Sequence, residues 1–121
     1  MPRLLIVDDE IDIREFAKRF FTKRGVDVFT ASGGIEALKI IDENHPDLVL
    51  LDVQMEEING IDVLRKINAD GKMQDIRIVM LTTSDDQTQT KMCYELGCMS
   101  HIVKPPGDAL LKAIERASER L

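Results

Sequence analysis

Several short apolar runs in this chain end on residues able to do chemistry. Residues 4–7, Leu-Leu-Ile-Val, run into Asp8, Asp9 and Glu10, and residues 48–51, Leu-Val-Leu-Leu, stop on Asp52. The run over 76–81 ends on Thr82 and Thr83, and that over 101–103 on Lys104 and Pro105. Singly, each has an ordinary reading: a solvated strand-end aspartate, acids favoured at a helix N-terminus, a β-branched strand threonine, a surface lysine. If the runs are strands of one sheet, their ends bring carboxylates, a hydroxyl and an ammonium to a common edge.

Charge decides what such an edge needs. Two carboxylates about 4 Å apart repel by roughly 4 kcal/mol at an effective dielectric near 20. Asp8, Asp9 and Asp52 converging therefore call for a proton or a cation among them. Hard oxygen donors suit Mg²⁺, with Mn²⁺ able to take its place. Mg²⁺ and Lys104 together cancel three carboxylates. A carboxylate so placed can attack phosphorus and form an aspartyl phosphate. Metal and lysine then neutralise the charge on the transferring oxygens. The chemistry is phosphoryl transfer.

The elements that must position these residues alternate along the chain. After the strand at 4–7, Ile13, Phe16, Ala17, Phe20 and Phe21 recur at helical spacing until Gly25. A strand is expected at 26–30. Ile35, Ala37, Leu38 and Ile41 mark a helix ending near Asn44-His45-Pro46. The third strand, 48–51, reads as buried on both faces, and Ile61, Leu64 and Ile67 mark a third helix ending near Gly71. A fourth strand at 76–81, a helix from about 86 to 96 capped by Gly97, and a short fifth strand at 101–103 follow. The last helix, 108–121, takes Asp108 as its N-cap. Five β–α units predict a doubly wound, all-parallel α/β sheet with helices on both faces. Sites in such sheets lie outside the carboxyl ends of the strands.

With 121 residues and 44% hydrophobic content, the chain reads as one globular domain spanning 1–121. A formal charge of −6 argues against a nucleic-acid surface. No apolar stretch approaches the roughly 20 residues that span a bilayer. Two cysteines, Cys93 and Cys98, make no disulfide framework. They read as core residues of a reduced, cytoplasmic protein.

Taken together, "LLIVDDE", "LVLLDVQM…NG", "IVMLTT" and "HIVKP" resemble, in order and spacing, the receiver domain of two-component response regulators, the CheY-like family. The resemblance covers essentially the full chain. It implies a flavodoxin-like (βα)5 fold with strand order 2-1-3-4-5, and phosphorylation of Asp52 by a sensor histidine kinase or histidine phosphotransfer protein. Asp8 and Asp9 would be the acidic pair for Mg²⁺, Asp9 directly and Asp8 partly through water, with Asp52 and the Gln54 backbone carbonyl completing the protein ligands. Thr82 would hydrogen-bond the phosphoryl group and Lys104 would pair with it. Thr82 and His101 would form the switch. The face of the fourth helix, fifth strand and fifth helix would then dock an output protein or a second receiver. The domain would catalyse its own phosphorylation and dephosphorylation rather than turn over a substrate. The resemblance also implies a cis Lys104–Pro105 bond.

The chain departs from the family pattern at four places. Glu56 stands where Pro is usual, Thr83 where Ala or Gly is common, His101 at the Tyr/Phe switch position, and Pro106 in place of Phe. Thr83 and Gln54 would set the phosphate lifetime. Three other readings compete. A degenerate receiver, acting as a phosphorylation-independent interaction module, usually lacks one of the acidic pair, acceptor or lysine, and all are present. A phosphohydrolase with a nucleophilic Asp wants an acid two residues on, where Gln54 stands. A flavodoxin-type binder wants a phosphate loop where "DDEID" lies.

Overall fold

A computed structural model describes residues 2–55, 57–72, 74–82 and 87–103. Along them run β1 (Arg3–Val7), α1 (Ile11–Thr22), β2 (Asp27–Ala31), α2 (Gly34–Asn44), β3 (Leu48–Asp52), α3 (Gly60–Ala69), β4 (Arg77–Thr82), α4 (Gln87–Glu95) and β5 (Ser100–Val103). The strands form one parallel sheet in the order β2-β1-β3-β4-β5, as the resemblance implies. The final helix expected at 108–121, its Asp108 cap, and Glu56, Thr83, Lys104, Pro105 and Pro106 lie outside the described residues.

The pleat divides the apolar residues between two layers. Leu5, Val7, Val49, Leu51, Ile78 and Met80 face one way, packed with Ala37 and Ile41 of α2, Val63, Leu64 and Ile67 of α3, and Cys93 and Cys98. Leu4, Ile6, Leu48, Leu50, Val79 and Leu81 face the other way, against Ala17 and Phe21 of α1. All five residues of β3 are buried. Its unbroken apolar run has a helical layer on either side, which is why it does not alternate.

Element ends follow local chemistry. Asn59 caps α3 by accepting the Asp62 N–H at 2.9 Å. α2 stops at His45, which takes the left-handed conformation (φ 50°) just before Pro46. Some boundaries differ from expectation. β2 and β4 each begin and end one residue later than the apolar pattern suggests, and β5 begins one earlier. Ile35, expected on the inner face of α2, is 57% exposed, and Phe16 of α1 is 39% exposed. Ile35 lies in the first turn of α2, and the sheet-facing stripe of that helix is carried by Ala37 and Ile41.

Candidate functional site

The sheet register places the site. Val7 pairs with Leu51, so the next residues, Asp8 and Asp52, stand side by side at the carboxyl edge of β1 and β3. Among the described residues these two are the buried polar or charged ones, at 0% and 2% exposure. Burying a carboxylate is costly unless it is hydrogen-bonded. Asp8 Oδ1 accepts the Glu10 N–H at 2.9 Å, and Asp52 Oδ1 accepts the Gln54 N–H at 3.2 Å. Each aspartate thus turns its own chain sharply as the strand ends. The Asp8 N–H extends the sheet by donating to the Ala31 carbonyl at 3.1 Å. Arg14, one turn into α1, donates to the Asp8 carbonyl at 2.7 Å, tying helix to strand end.

Around Asp8 the carboxylates gather. Oxygens of Asp8, Asp9 and Glu10 lie within 4.8 Å of one another, with Asp8 buried and the other two exposed. Asp9 also lines an open cleft of about 360 Å³ together with Val53, Gln54, Met55, Asn59 and Gln89. The structure therefore brings Asp9 and Gln54 to one cleft and Asp8 beside Asp52. Thr82 ends β4, paired with Val103 at the end of β5. Thr83 and Lys104 are outside the described residues.

Close approach of α3 fixes the end of β3. A Cβ at Gly60 would lie 2.2 Å from the Asp52 carbonyl oxygen and 2.9 Å from Val53 Cα. Any residue but glycine there must push α3 away from the strand end. The Gly60 N–H donates to the Val53 carbonyl at 2.8 Å, closing the loop that carries Gln54. Sequence reasoning passed over Arg14 and Gln89, and Asn59-Gly60 entered it only as the close of the motif "LVLLDVQM…NG".

The polar side chains of this cleft, Asp9, Gln54, Asn59 and Gln89, are carboxylate and amide groups, whose hard oxygens fit Mg²⁺. The family model of the response regulator receiver domain matches residues 4–115. The chain belongs to the response regulator receiver domain family. It is a CheY-like receiver of two-component signalling, and receivers bind Mg²⁺ in an acidic pocket, here represented by Asp8, Asp9 and Glu10. It is 34% identical over 103 residues to the sporulation initiation phosphotransferase F of Bacillus subtilis, covering 85% of this chain and 82% of that one. To the transcriptional regulatory protein CpxR homolog of Haemophilus influenzae it is 38% identical over 122 residues, covering 98% of this chain but 52% of that regulator. This receiver thus spans about half the length of that longer relative.

Solved structures agree on the fold. The response regulator protein TrrA of Thermotoga maritima, in complex with Mg²⁺-BeF, has a TM-score of 0.81 at 32% identity, with 100% of each chain covered. The chemotaxis protein CheY4 of Vibrio cholerae has a TM-score of 0.84 at 29% identity, covering 96% of this receiver and 98% of that chain. No helix among the described residues is long and apolar enough to cross a membrane. At the receiver's β5, the half-buried His101 lies against α4. Its Nδ1 is 2.9 Å from the Tyr94 hydroxyl, and the two rings meet edge to face at 5.6 Å and 86°.

Proposed function

We propose that this receiver accepts a phosphoryl group on Asp52 from a histidine kinase or histidine phosphotransfer protein and passes the signal on through the face built from α4 and β5. The observation that carries the proposal is the pair of buried aspartates, Asp8 and Asp52, side by side at the sheet edge. Asp9 and Gln54 line the cleft beside them. In the transfer, an Asp52 carboxylate oxygen forms the bond to phosphorus. The bond from phosphorus to the donor breaks, and its electron pair leaves with the donor.

Asp8, Asp9, Asp52 and the Gln54 carbonyl would hold Mg²⁺, or Mn²⁺ in its place. The ion supplies charge neutralisation for the transferring oxygens. Asp52 is pre-oriented by the Gln54 N–H. Thr82, at the end of β4, hydrogen-bonds the phosphoryl group, and Lys104 pairs with it. Gln54 and Thr83 set how long the acyl phosphate survives. Thr82 and His101 relay occupancy to the α4–β5 face, where an output protein or second receiver docks. The free thiols Cys93 and Cys98 fit the reducing cytoplasm in which such kinases work.

Acetyl phosphate with Mg²⁺ is the test. Wild type should gain one phosphoryl group by intact mass, and Asp52→Asn should gain none. Phosphate appearing on Asp52→Asn would overturn the assignment. A wild type that never takes phosphate would make the chain an interaction module instead.

A further inference from the structure

Glu57 and Ile58, which precede α3, rest against the start of α2. Gly33 is the N-cap of α2 and Gly34 its first residue, and both are buried. A Cβ at Gly34 would lie 2.5 Å from Ile58 Cγ1, 2.9 Å from Ile58 Cδ1 and 2.7 Å from Val63 Cγ2. A Cβ at Gly33 would lie 2.7 Å from Glu57 Oε1. Ile58 therefore seats on the bare Cα of Gly34, with Val63 of α3 blocking a sideways escape. The Glu57 carboxylate lies over the N-terminus of α2, where the helix dipole favours negative charge. Two consecutive residues, one apolar and one charged, thus lie against one helix end.

The other end of the loop is fixed to the site. The Val53 N–H donates to the Leu81 carbonyl at 2.9 Å, and the Gln54 N–H donates to Asp52 Oδ1. Ile58 stands two residues before Gly60, whose N–H donates to the Val53 carbonyl at 2.8 Å, so a shift at Ile58 is carried to the end of β3, next to Gln54 and Asp52. Mg²⁺ demands near-ideal octahedral geometry with ligands about 2.0–2.1 Å away, so a displacement of a few tenths of an ångström is felt.

We infer that Gly34 is a positioning residue for the acidic site: acting through Ile58, the start of α2 sets the pose in which the β3–α3 loop presents the Gln54 carbonyl and the Asp52 carboxylate. The inference rests on the Mg²⁺ and phosphoryl reading above. It makes Gly34 a determinant of metal affinity although it touches neither metal nor phosphate.

The experiment is Mg²⁺ titration of the full chain by calorimetry, with thermal melts alongside and loading by acetyl phosphate at low and saturating Mg²⁺. Gly34→Ala should weaken Mg²⁺ binding by about tenfold, the scale seen when outer partners of metal ligands are changed. Loading should slow at low Mg²⁺ and return towards the wild-type rate at saturation. Ile58→Ala, which empties the same contact from the loop side, should weaken Mg²⁺ binding by a similar factor. In Gly34→Ala/Ile58→Ala the new methyl takes part of the vacated space, so the double variant should bind more tightly than either single one. Binding is measured at a temperature where the melts show every variant folded, so a loss of Mg²⁺ affinity cannot come from unfolding. A folded Gly34→Ala with Mg²⁺ affinity within about twofold of wild type overturns the inference. If Gly34→Ala does not fold, an unchanged affinity in Ile58→Ala overturns it equally. A wild type that binds neither Mg²⁺ nor phosphate overturns the functional reading, and this inference with it.

Discussion

Asp8 and Cys98 are buried in different settings. Asp8 lies at the sheet edge beside Asp9 and Glu10, its Oδ1 accepting the Glu10 N–H. Cys98 sits in the core, and its thiol is pushed up to about 11, by burial first and by neighbouring Cys93 second. Burial also raises the Cys93 thiol. Both thiols therefore stay protonated at neutral pH and are poor nucleophiles. A Cys98 thiol near 11, against the ordinary 9.0, holds about 100-fold less thiolate at pH 7.5. Iodoacetamide should label the native protein at least that much more slowly than the urea-unfolded chain. The same shift fixes a sign for stability. Folding favours the protonated thiol, so its contribution is complete below about pH 9 and fades as pH rises towards 11. Rapid native labelling at pH 7.5 would contradict this. Their core role was legible from residue type, as was the position of Asp8 and Asp52 at the sheet edge from their place after apolar runs. Gly34 and Gly60 were not legible as site residues. Their importance lies in how closely neighbours come to a bare Cα, since an added Cβ would lie 2.2 Å from the Asp52 carbonyl oxygen at Gly60 and 2.5 Å from Ile58 Cγ1 at Gly34, and a glycine code carries no distance.

At the scale of elements, α4 shows which features a sequence exposes. Its end at Gly97 was expected, and the structure gives the reason. The Cys98 N–H donates to the Cys93 carbonyl at 3.1 Å and the Gly97 N–H to the Tyr94 carbonyl at 3.0 Å, with Gly97 at φ 103°. This is the Schellman arrangement, whose first and last residues bring their side chains together. Here those residues are the two buried cysteines. The Asn68 side chain donates to the Leu96 carbonyl at 2.7 Å, so α3 holds the same end. Gly97→Ala forces a Cβ into left-handed backbone and should cost about 1–2 kcal/mol, read as a lower urea midpoint with an unchanged slope. Because this helix end also positions Tyr94 against His101, the variant should disturb the α4–β5 face and leave Mg²⁺ binding at the far side of the sheet edge intact. A midpoint equal to wild type would refute the cap. Helix existence and order were readable from periodicity. The outward placement of Ile35 and the partial exposure of Phe16 were not, because an apolar residue near the edge of a helical stripe reads the same as one at its centre.

For the molecule as a whole, one consequence of strict β–α alternation outweighs the rest: every strand delivers its last residue to the same edge. Strand order and register turn a list of strand ends into a site, putting Asp8 next to Asp52. The list was legible in the chain, whereas the hydrogen-bonded turns and the loop's seat on α2 needed three dimensions. Concentrating acids at one edge of a protein already carrying −6 also stores repulsion in the metal-free fold. The exposed Asp9, with oxygens within 4.8 Å of those of Asp8 and Glu10, contributes to it. Asp9→Asn should therefore raise the melting temperature without Mg²⁺, by about 2 °C, while removing a ligand of the proposed Mg²⁺ site. Mg²⁺ acts oppositely on wild type. At tenfold excess over Kd, a ligand bound only by the folded state stabilises it by about 1.4 kcal/mol, or roughly 3–6 °C for a domain of this size. In Asp9→Asn that Mg²⁺-dependent rise should vanish at the same concentration. The two melting curves, each with and without Mg²⁺, should thus cross over: the variant more stable without the ion and the wild type more stable with it. An Asp9→Asn protein that is less stable without Mg²⁺ yet keeps the full Mg²⁺ response would show that Asp9 is a structural acid and not a ligand.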